Sequence, residues 1–223
     1  MLSSIRLITA LDWINQTDTL ADVGCDHGYL AIAALEKGIS FVQLIDNKQG
    51  PLDVAYQNLD KNGLLECSNV LLTLGDGLSL LDERVNTVAI LGMGGELIAK
   101  ILEEGKIKST NVKQFILEAN TKISLLRKYL LTNNYLIVGE KIVKENNKYY
   151  ELLLVKKSDQ TIVFDQKDLI FGPILRKEQP VLFKEKWLKI YQKYLRIINT
   201  SKVEVPKIKI ELALIKEVLN IEE

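Results

Sequence analysis

Cysteine, histidine and long apolar runs are the features that this sequence has least of. Its 223 residues include two cysteines, Cys25 and Cys67, and a single histidine, His27. Two cysteines cannot build a disulfide framework, and no Cys/His cluster has the spacing of metal ligands. No apolar run approaches the roughly 20 residues of a membrane-spanning helix. We therefore expect a cytoplasmic chain that binds no metal and has no membrane partner.

Net charge and proline are scarce as well. The chain balances 29 basic against 29 acidic residues and contains four prolines. Residues 1–156 hold 16 Lys and Arg against 19 Asp and Glu, whereas residues 157–223 hold 13 against 10. A slightly basic C-terminal part permits binding to nucleic acid without requiring it. The N-terminal stretch MLSSIRLITALDWI lacks the basic start and the cleavage site of a signal peptide, so it predicts an amphipathic helix.

Over residues 20–134, short apolar strand candidates alternate with helical stretches. This alternation predicts βαβ units and a parallel sheet that is covered by helices on both faces. Residues 135–157 then offer two strand candidates around Asn146 and Asn147, which predicts an antiparallel hairpin on the otherwise parallel sheet. The fold class predicted for this part of the chain is therefore α/β.

The C-terminal part has a helical pattern instead. Apolar residues step by three and four from Phe183 to Ile197, and a second such stripe follows Pro206. Two apolar stripes joined by a turn predict an antiparallel helical pair with coiled-coil-like packing. We expect an α/β domain over residues 1–160 and a small α-helical domain over residues 161–223.

Glycines and acidic residues follow the first four predicted strands. In an open parallel sheet, ligands bind beyond the carboxyl ends of the strands, next to the point where the strand order reverses. The four segments are Gly24-Cys25-Asp26-His27-Gly28, Asp46-Asn47, Gly75-Asp76-Gly77 and Gly92-Met93-Gly94-Gly95. Their positions predict a site for a nucleoside cofactor at one edge of the sheet.

Charge separates the two classes of cofactor that fit this arrangement. A dinucleotide would need glycines in the first segment, but Asp26 and Tyr29 stand at two of those positions. A carboxylate beside a pyrophosphate is repulsive by ~1 kcal/mol or more at contact distance. S-adenosylmethionine carries an ammonium and a sulfonium and no phosphate, so Asp22 and Asp26 become attractive partners. Asp46 can then accept from the ribose and Asp76 from the adenine amino group, which favours this donor over a dinucleotide.

Several stretches together carry a resemblance to a known family. They are DVGCDHGYLAI, LIDNKQGPLDVAYQNLDKNGL, LTLGDGL and AILGMGGELIAKIL, followed by FILEANTKISLLRKYLL, EKIVKENNKYYELLLV, and FGPIL with FKEKWL. Over nearly its whole length the chain resembles the bacterial tRNA (adenine-N1)-methyltransferases that modify adenosine 22. One departure is visible, because the family usually has Gln-Pro-Asn where this chain has Glu118-Ala119-Asn120.

The resemblance implies a Rossmann-like class I methyltransferase domain and a C-terminal helical domain that helps to hold tRNA. It implies that S-adenosylmethionine is the methyl donor and that tRNA is the partner. The residues expected to bind the donor are Asp22, Gly24, Asp26, His27, Gly28, Asp46, Asn47, Asp76, Gly77 and Gly92. The residues expected to contact the target adenosine or the rest of the tRNA are Met93, Gly94, Gly95, Asn120, Lys186 and Lys189.

The chemistry of an adenine ring nitrogen agrees with this expectation. N1 carries an in-plane lone pair, so methyl transfer is an in-line displacement that needs alignment and electrostatic stabilisation. N1 also lies on the Watson–Crick edge, so the base must leave its stack. We expect Asp26 to stabilise the developing positive charge, with His27 as its hydrogen-bonding neighbour and Tyr29 as a wall for the base. These three are the candidate catalytic residues.

Plainer interpretations stay open. Asp26 could cap the following helix, His27 could be a structural hydrogen-bonding residue, and Tyr29 could be packed in the core. The lysines of the C-terminal part could simply be solvated. For the whole chain, the alternatives are a methyltransferase of the same fold acting on another RNA or a small molecule, and a non-catalytic module that binds S-adenosylmethionine or RNA. We expect a monomer, and the sequence does not indicate which tRNA species are accepted.

Overall fold

The computed structural model describes residues 4–65, 69–201 and 203–222, so Cys67 lies outside the described residues. The strands are β1 (Leu20–Val23), β2 (Val42–Asp46), β3 (Val70–Leu74), β4 (Thr87–Gly94), β5 (Gln114–Thr121), β6 (Tyr135–Glu145) and β7 (Lys148–Lys157). The helices are α1 (Ile5–Asp12), α2 (Tyr29–Glu36), α3 (Gln49–Lys61), α4 (Gly95–Glu104), α5 (Ile123–Thr132), α6 (Gln166–Phe171), α7 (Leu175–Glu178), α8 (Val181–Thr200) and α9 (Pro206–Leu219).

All the strands belong to one sheet with the order β3-β2-β1-β4-β5-β7-β6. Strands β1 to β5 run parallel, whereas β7 lies antiparallel to both β5 and β6. The strand order reverses between β1 and β4, so the segments that follow these two strands meet at the switch point. The prediction of a parallel sheet with a terminal antiparallel hairpin is confirmed.

The hairpin forms because its two-residue turn accepts a left-handed backbone. Asn146 and Asn147 have φ angles of 49° and 61°. Two consecutive left-handed residues match the twist of the flanking strands, and asparagine adopts this conformation more readily than most residues. Glu145 pairs with Lys148 directly beside the turn, so Lys148 has a defined position at the tip of the hairpin.

Helices cover the sheet on both faces, as its apolar strands require. On one face, α1, α2 and α3 contribute buried residues such as Ala10, Leu30 and Leu59. On the other face, α4 and α5 contribute buried residues such as Ile98 and Leu130. The central strands are therefore buried on both sides, which explains why they read as continuous apolar runs in the sequence.

The C-terminal helices form a third apolar cluster against the hairpin. The rings of Phe171, Phe183 and Trp187 lie with their centroids 4.5–6.4 Å apart. Ile142 of β6, Leu175 of α7 and Ile215 of α9 are also buried in this cluster. Helices α8 and α9 contact each other, so the predicted helical C-terminal part is confirmed. Neither these nor any other described helix is long and apolar enough to cross a membrane.

A buried ionic cluster joins the C-terminal helices to the sheet. Arg127 of α5 is fully buried and donates to Glu140 at 2.8 Å and to Glu151 at 2.6 Å. Lys186 of α8 pairs with Glu151 from the other side. Glu140 also accepts hydrogen bonds from two backbone N–H groups at the start of α7. The predicted division at residue 160 stays a prediction, and these contacts span it.

The segment after the fourth strand differs from the expectation. The sequence predicts that Gly92–Gly95 follow the fourth strand, but β4 continues to Gly94 and α4 begins at Gly95. The pairing of β4 with β5 shifts its register at Met93, and Gly92 has a φ of 80°. This is a β-bulge, in which one extra residue re-aims the strand beside a site. The bulge could not be distinguished from a loop by its glycine content.

Candidate functional site

The segment after β1 turns sharply before α2 begins. Gly24, Asp26 and Gly28 have left-handed backbones, with φ angles of 73°, 46° and 72°. Glycine adopts this conformation freely and aspartate tolerates it, which explains the residue types at these positions. A Cβ built on Gly28 would lie 3.0 Å from Leu44, so glycine lets α2 approach β2 closely. The local sequence thus fixes a tight turn that holds Asp26 beside a cavity.

Carboxylates line this cavity of about 410 Å³ at the switch point. Asp22 lies inside β1 and is 6% exposed, whereas the Asp26 side chain at the rim is 75% exposed. Burial, together with the charges of Asp26 and Asp46, raises the pKa of Asp22 to about 7. Among the described residues, no group of three or more His, Cys, Asp or Glu side chains could hold a metal ion. Because the like charges repel one another, the arrangement favours a cationic ligand.

A second cavity, of about 280 Å³, continues on the other side of Gly24. It is lined by five of the residues expected to bind the donor, Gly24, Asp46, Asn47, Asp76 and Gly77. The backbone N–H of Lys48 donates to the Asp46 carboxylate at 2.9 Å and so fixes its orientation. Leu97 and Ile101 add apolar surface to the same cavity. Acceptors for hydroxyl groups beside an apolar wall are suited to a nucleoside.

Met93 separates the two cavities and lines both of them. Its Cε lies over Gly24, so that a Cβ built on Gly24 would be only 2.2 Å away. A ligand that fills both cavities has to displace this methyl group, which the unbranched methionine side chain permits. Nine of the ten residues expected to bind the donor line one or both cavities, whereas Gly28 packs against Leu44 instead.

The three candidate catalytic residues lie together at the rim of the first cavity. Asp26 Oδ2 is 3.6 Å from His27 Nε2, and the rings of His27 and Tyr29 have centroids 5.5 Å apart. Tyr29 is 51% exposed, so it is not packed in the core. The N-cap of α2 is Gly28, which leaves Asp26 free of the capping role that the plainer interpretation assigned to it.

Side chains of β5 hold Gly92 at both its N–H and its C=O. Glu118 Oε2 accepts from the Gly92 amide at 2.9 Å, and Asn120 Nδ2 donates to the Gly92 carbonyl at 2.7 Å. Arg6 of α1 in turn pairs with Glu118 at 3.2 Å and with Glu145 at 2.9 Å. The sequence does not predict these roles for Arg6 and Glu118, because the partners lie 26 to 139 positions apart and no local pattern links them.

Gly94 and Gly95 lie against the last residue of β5, Thr121, and the residue that follows it, Lys122. A Cβ built on Gly95 would be 2.5 Å from the carbonyl oxygen of Lys122, and one on Gly94 would be 3.3 Å from Thr121 Oγ1. Their lack of a side chain therefore lets the start of α4 approach this segment. Their expected contact with the target adenosine stays a prediction.

Lys186 and Lys189 line a separate cavity of about 700 Å³ between the hairpin and α8. Lys186 pairs with the buried Glu151, and Lys189 pairs with Glu185 at 3.0 Å. Neither lysine is therefore merely solvated. Asn120 lines the same cavity, so the structure brings three of the residues expected to contact RNA to one place.

Comparison with known proteins agrees with this geometry. A family model described as tRNA (adenine(22)-N(1))-methyltransferase matches residues 20–222. The tRNA (adenine(22)-N(1))-methyltransferase of Bacillus subtilis strain 168 is 31% identical over 232 aligned positions, which cover 97% of this chain and 97% of the relative.

Solved structures give the same result. A putative tRNA (m1A22) methyltransferase of Streptococcus pneumoniae, in complex with S-adenosyl-L-methionine, is 34% identical with a TM-score of 0.89, covering 98% of this chain and 100% of its own. The crystal structure of the B. subtilis m1A22 tRNA methyltransferase is 30% identical with a TM-score of 0.83, covering 98% and 99%. Because the family model extends from the start of β1 to the end of the C-terminal helices, the resemblance drawn from the motifs is confirmed, and this chain belongs to the tRNA (adenine(22)-N(1))-methyltransferase family.

Proposed function

We propose that this chain transfers the methyl group of S-adenosylmethionine to N1 of adenosine 22 in tRNA, with the adenine turned out of its stack. Membership of the family supports both the reaction and the donor. The structural observation that carries the proposal is the placement of Asp22, Asp26 and Asp46 around Gly24, where their charges converge.

The residues around Gly24 fit the chemistry of the donor. Asp22 is buried beside Asp26 and suits a cationic group, whereas Asp46 and Asp76 line the cavity that suits the ribose and the adenine. When bound, S-adenosylmethionine supplies an electrophilic methyl group, which passes to N1 while the electron pair of the broken S–C bond stays on sulfur. The protein therefore has to align two ligands and to stabilise a charge as it moves.

Asp26 is proposed to stabilise the positive charge that develops on the adenine ring. Removing one preorganised electrostatic contact of this kind typically costs about 10²–10³ in turnover. N1 already has a free lone pair, so His27 is proposed to act as a hydrogen-bonding neighbour of Asp26 and not as a base. Tyr29 offers an exposed aromatic ring at the rim, against which a flipped base can stack.

The remaining sites belong to the same proposal. Residues 161–223 are proposed to help hold the tRNA, since α8 borders the cavity that also contains Asn120. The residues proposed to contact the target adenosine or the tRNA are Met93, Gly94, Gly95, Asn120, Lys186 and Lys189. We further propose that the protein acts as a monomer in the cytoplasm.

The proposal is tested with purified protein, labelled donor and unmodified tRNA. We expect label in 1-methyladenosine at position 22, and no label when that position carries guanosine. Label on an amino group or at another nucleotide would contradict the assignment to N1 of adenosine 22. Donor binding without transfer to tRNA would favour a non-catalytic module, and transfer to a small molecule would favour another methyltransferase of the same fold.

A further inference from the structure

A basic cavity lies beside the donor cavities and is separate from them. It measures about 700 Å³ and lies between the tip of the β6–β7 hairpin and α8, with the end of β5 as one wall. Arg6 lines both this basic cavity and the cavity that contains Asp22 and Asp26. Asn120, which donates to the Gly92 carbonyl, lines the basic cavity as well. The two sites are therefore neighbours.

The charge of the basic cavity is entirely of one sign. Five cations and no acidic side chain line it, and the cations are Arg6, Lys148, Lys186, Lys189 and Lys193. Arg6, Lys186 and Lys189 each pair with carboxylates that do not line the cavity. Lys148 and Lys193 are exposed and have no acidic partner in the part of the chain that the structure describes. Two ammonium groups are therefore available to an anion.

Most of the remaining wall is aromatic or apolar, and Asn120 and Thr121 are its uncharged polar residues. Tyr149, Tyr150 and Ile190 line the cavity between the cations. The Arg6 guanidinium lies over the Tyr150 ring, 4.4 Å from its centroid, and Lys189 donates to the Tyr149 hydroxyl at 2.9 Å. Cations combined with aromatic surface are what proteins use to bind single-stranded nucleic acid. The volume of about 700 Å³ falls within the range of about 300–1,000 Å³ that holds small ligands, so size does not exclude one nucleotide.

We propose that the basic cavity binds a tRNA nucleotide adjacent to the target adenosine, with its phosphate between Lys148 and Lys193. This rests on the proposed function, because adjacency to adenosine 22 has meaning only if that base enters beside Asp26. Consecutive nucleotides are covalently joined, so a base at Asp26 brings its neighbour to the other side of Arg6. Phosphate contacts fix the position of a nucleic acid without reading its sequence. Lys148 and Lys193 are therefore positioning residues.

The first test removes the two unpaired charges. Lys148→Gln and Lys193→Gln, made singly and together, break no described ion pair and leave the donor cavities untouched. Lys113→Gln is the matched control, since Lys113 is exposed and precedes β5 at the opposite, amino end of the strand. Binding of unmodified tRNA is followed by fluorescence anisotropy over a range of salt concentrations, and donor binding is measured separately by calorimetry.

We expect the double variant to bind tRNA about tenfold more weakly. The negative slope of log affinity against log salt concentration should become less steep by about 1. Its donor affinity and its kcat at saturating tRNA should stay within about twofold of the unaltered protein, because the reacting groups lie in the other cavity. The Lys113→Gln control should behave as the unaltered protein does. Unchanged tRNA affinity and salt slope in the double variant would overturn the proposal.

A second test addresses the phosphate itself, with tRNAs in which an uncharged methylphosphonate linkage replaces the phosphate at position 21 or 23. One of these should bind the unaltered protein about tenfold more weakly than intact tRNA, yet show little further loss with the double variant, as changes within one contact do. Losses that add in full would contradict a shared nucleotide site. If the unaltered protein failed to methylate adenosine 22, the proposed function would be contradicted instead. The two failures can be distinguished because that assay uses no lysine variant.

Discussion

The carboxylate oxygen Oε2 of Glu118 accepts a hydrogen bond from the Gly92 amide at 2.9 Å. Glu118 belongs to β5, whereas Gly92 lies in the bulge of β4 that borders the donor cavity. Burial raises the pKa of Glu118, although Arg6 and the Gly92 N–H oppose this effect. Its Oε1 is buried and has no hydrogen-bond partner among the described residues. We therefore infer that the Gly92 N–H requires an oxygen acceptor at position 118, and that the negative charge of Glu118 matters less.

Glu118→Gln should consequently keep turnover within about threefold, because the amide oxygen can still accept from Gly92 and Arg6 keeps Glu145 as a partner. Glu118→Ala should lower kcat by about 10–100-fold, since a buried N–H without an acceptor costs about 1–3 kcal/mol. Steady-state assays at saturating tRNA and donor measure both. Equal turnover in the two variants would show that the hydrogen bond does not position the bulge.

Asp22 should make the donor-free protein less stable as the pH rises. Its folded-state pKa of about 7 lies above the ordinary value of 3.8, so the folded chain holds this proton more tightly than the unfolded chain. Its stabilising contribution is complete below the ordinary value and is lost as the pH rises through about 7. The difference in the free energy of unfolding, Asp22→Asn minus the unaltered protein, should therefore increase by on the order of 2 kcal/mol between pH 5 and pH 8. Urea unfolding at both pH values measures this difference, and a constant difference would contradict it.

The same substitution should have the opposite effect on donor binding. Ionised Asp22 attracts a cationic donor, so the affinity of the unaltered protein should weaken as the pH falls from 8 to 6. Asp22→Asn should bind the donor about tenfold more weakly at pH 8 and lose most of this pH dependence. Asp76→Asn serves as the control in calorimetric titrations, because it alters the second cavity and Asp76 is not one of the charges that raise the pKa of Asp22.

Asp26→Asn should reduce turnover with little effect on stability. Asn is preferable to Ala here because Asp26 has a φ of 46°, a left-handed conformation that asparagine tolerates. The substitution removes the charge from an exposed side chain, so the melting temperature should hardly change, whereas kcat should fall by about 10²-fold. Single-turnover methylation with preformed donor complex separates the chemical step from binding. Normal single-turnover rates would remove Asp26 from the mechanism.

Arg127→Ala should be strongly destabilising. It would leave Glu140 and Glu151 buried without their shared counter-ion, which typically costs about 3–5 kcal/mol. Because this cluster spans the sheet and the C-terminal helices, both parts should unfold in one transition in the protein that keeps Arg127. In a Trp13→Phe background, Trp187 fluorescence reports on the helices and far-ultraviolet circular dichroism reports on the whole chain. Two separate transitions would instead support independent unfolding of residues 161–223.

Features encoded within a few residues could be predicted from the sequence. The Asn146-Asn147 turn is one example, since its residue types alone permit the left-handed backbone that joins two strands. The acids after β1, β2 and β3 are another, because the carboxyl ends of parallel strands meet at one edge of the sheet. These short-range rules predicted that the acids lie close together, and they do line the two cavities around Gly24, whereas the bulge at Gly92 was not predicted.

Contacts between distant positions could not be predicted in this way. Lys186 is predicted to contact tRNA, with a merely solvated side chain as the alternative, and neither interpretation includes its pairing with Glu151, which is 35 positions away. Arg6 and Glu118 are 112 positions apart and gave no local pattern at all. Such pairs depend on how whole elements pack, so only the three-dimensional structure shows which charges are already paired and which remain available to a ligand.

Met93 has a practical consequence that follows from its position over Gly24. The sequence contains two methionines, Met1 and Met93. Protein made with methionine that carries a ¹³C label in its ε-methyl group therefore has two such labels, and one of them lies between the two cavities in which the donor is proposed to bind. The resonance of that methyl group should shift when the donor displaces it, and its chemical shift then reports site occupancy in solution. The side chain that divides the site is thus a built-in spectroscopic probe of whether the site is filled.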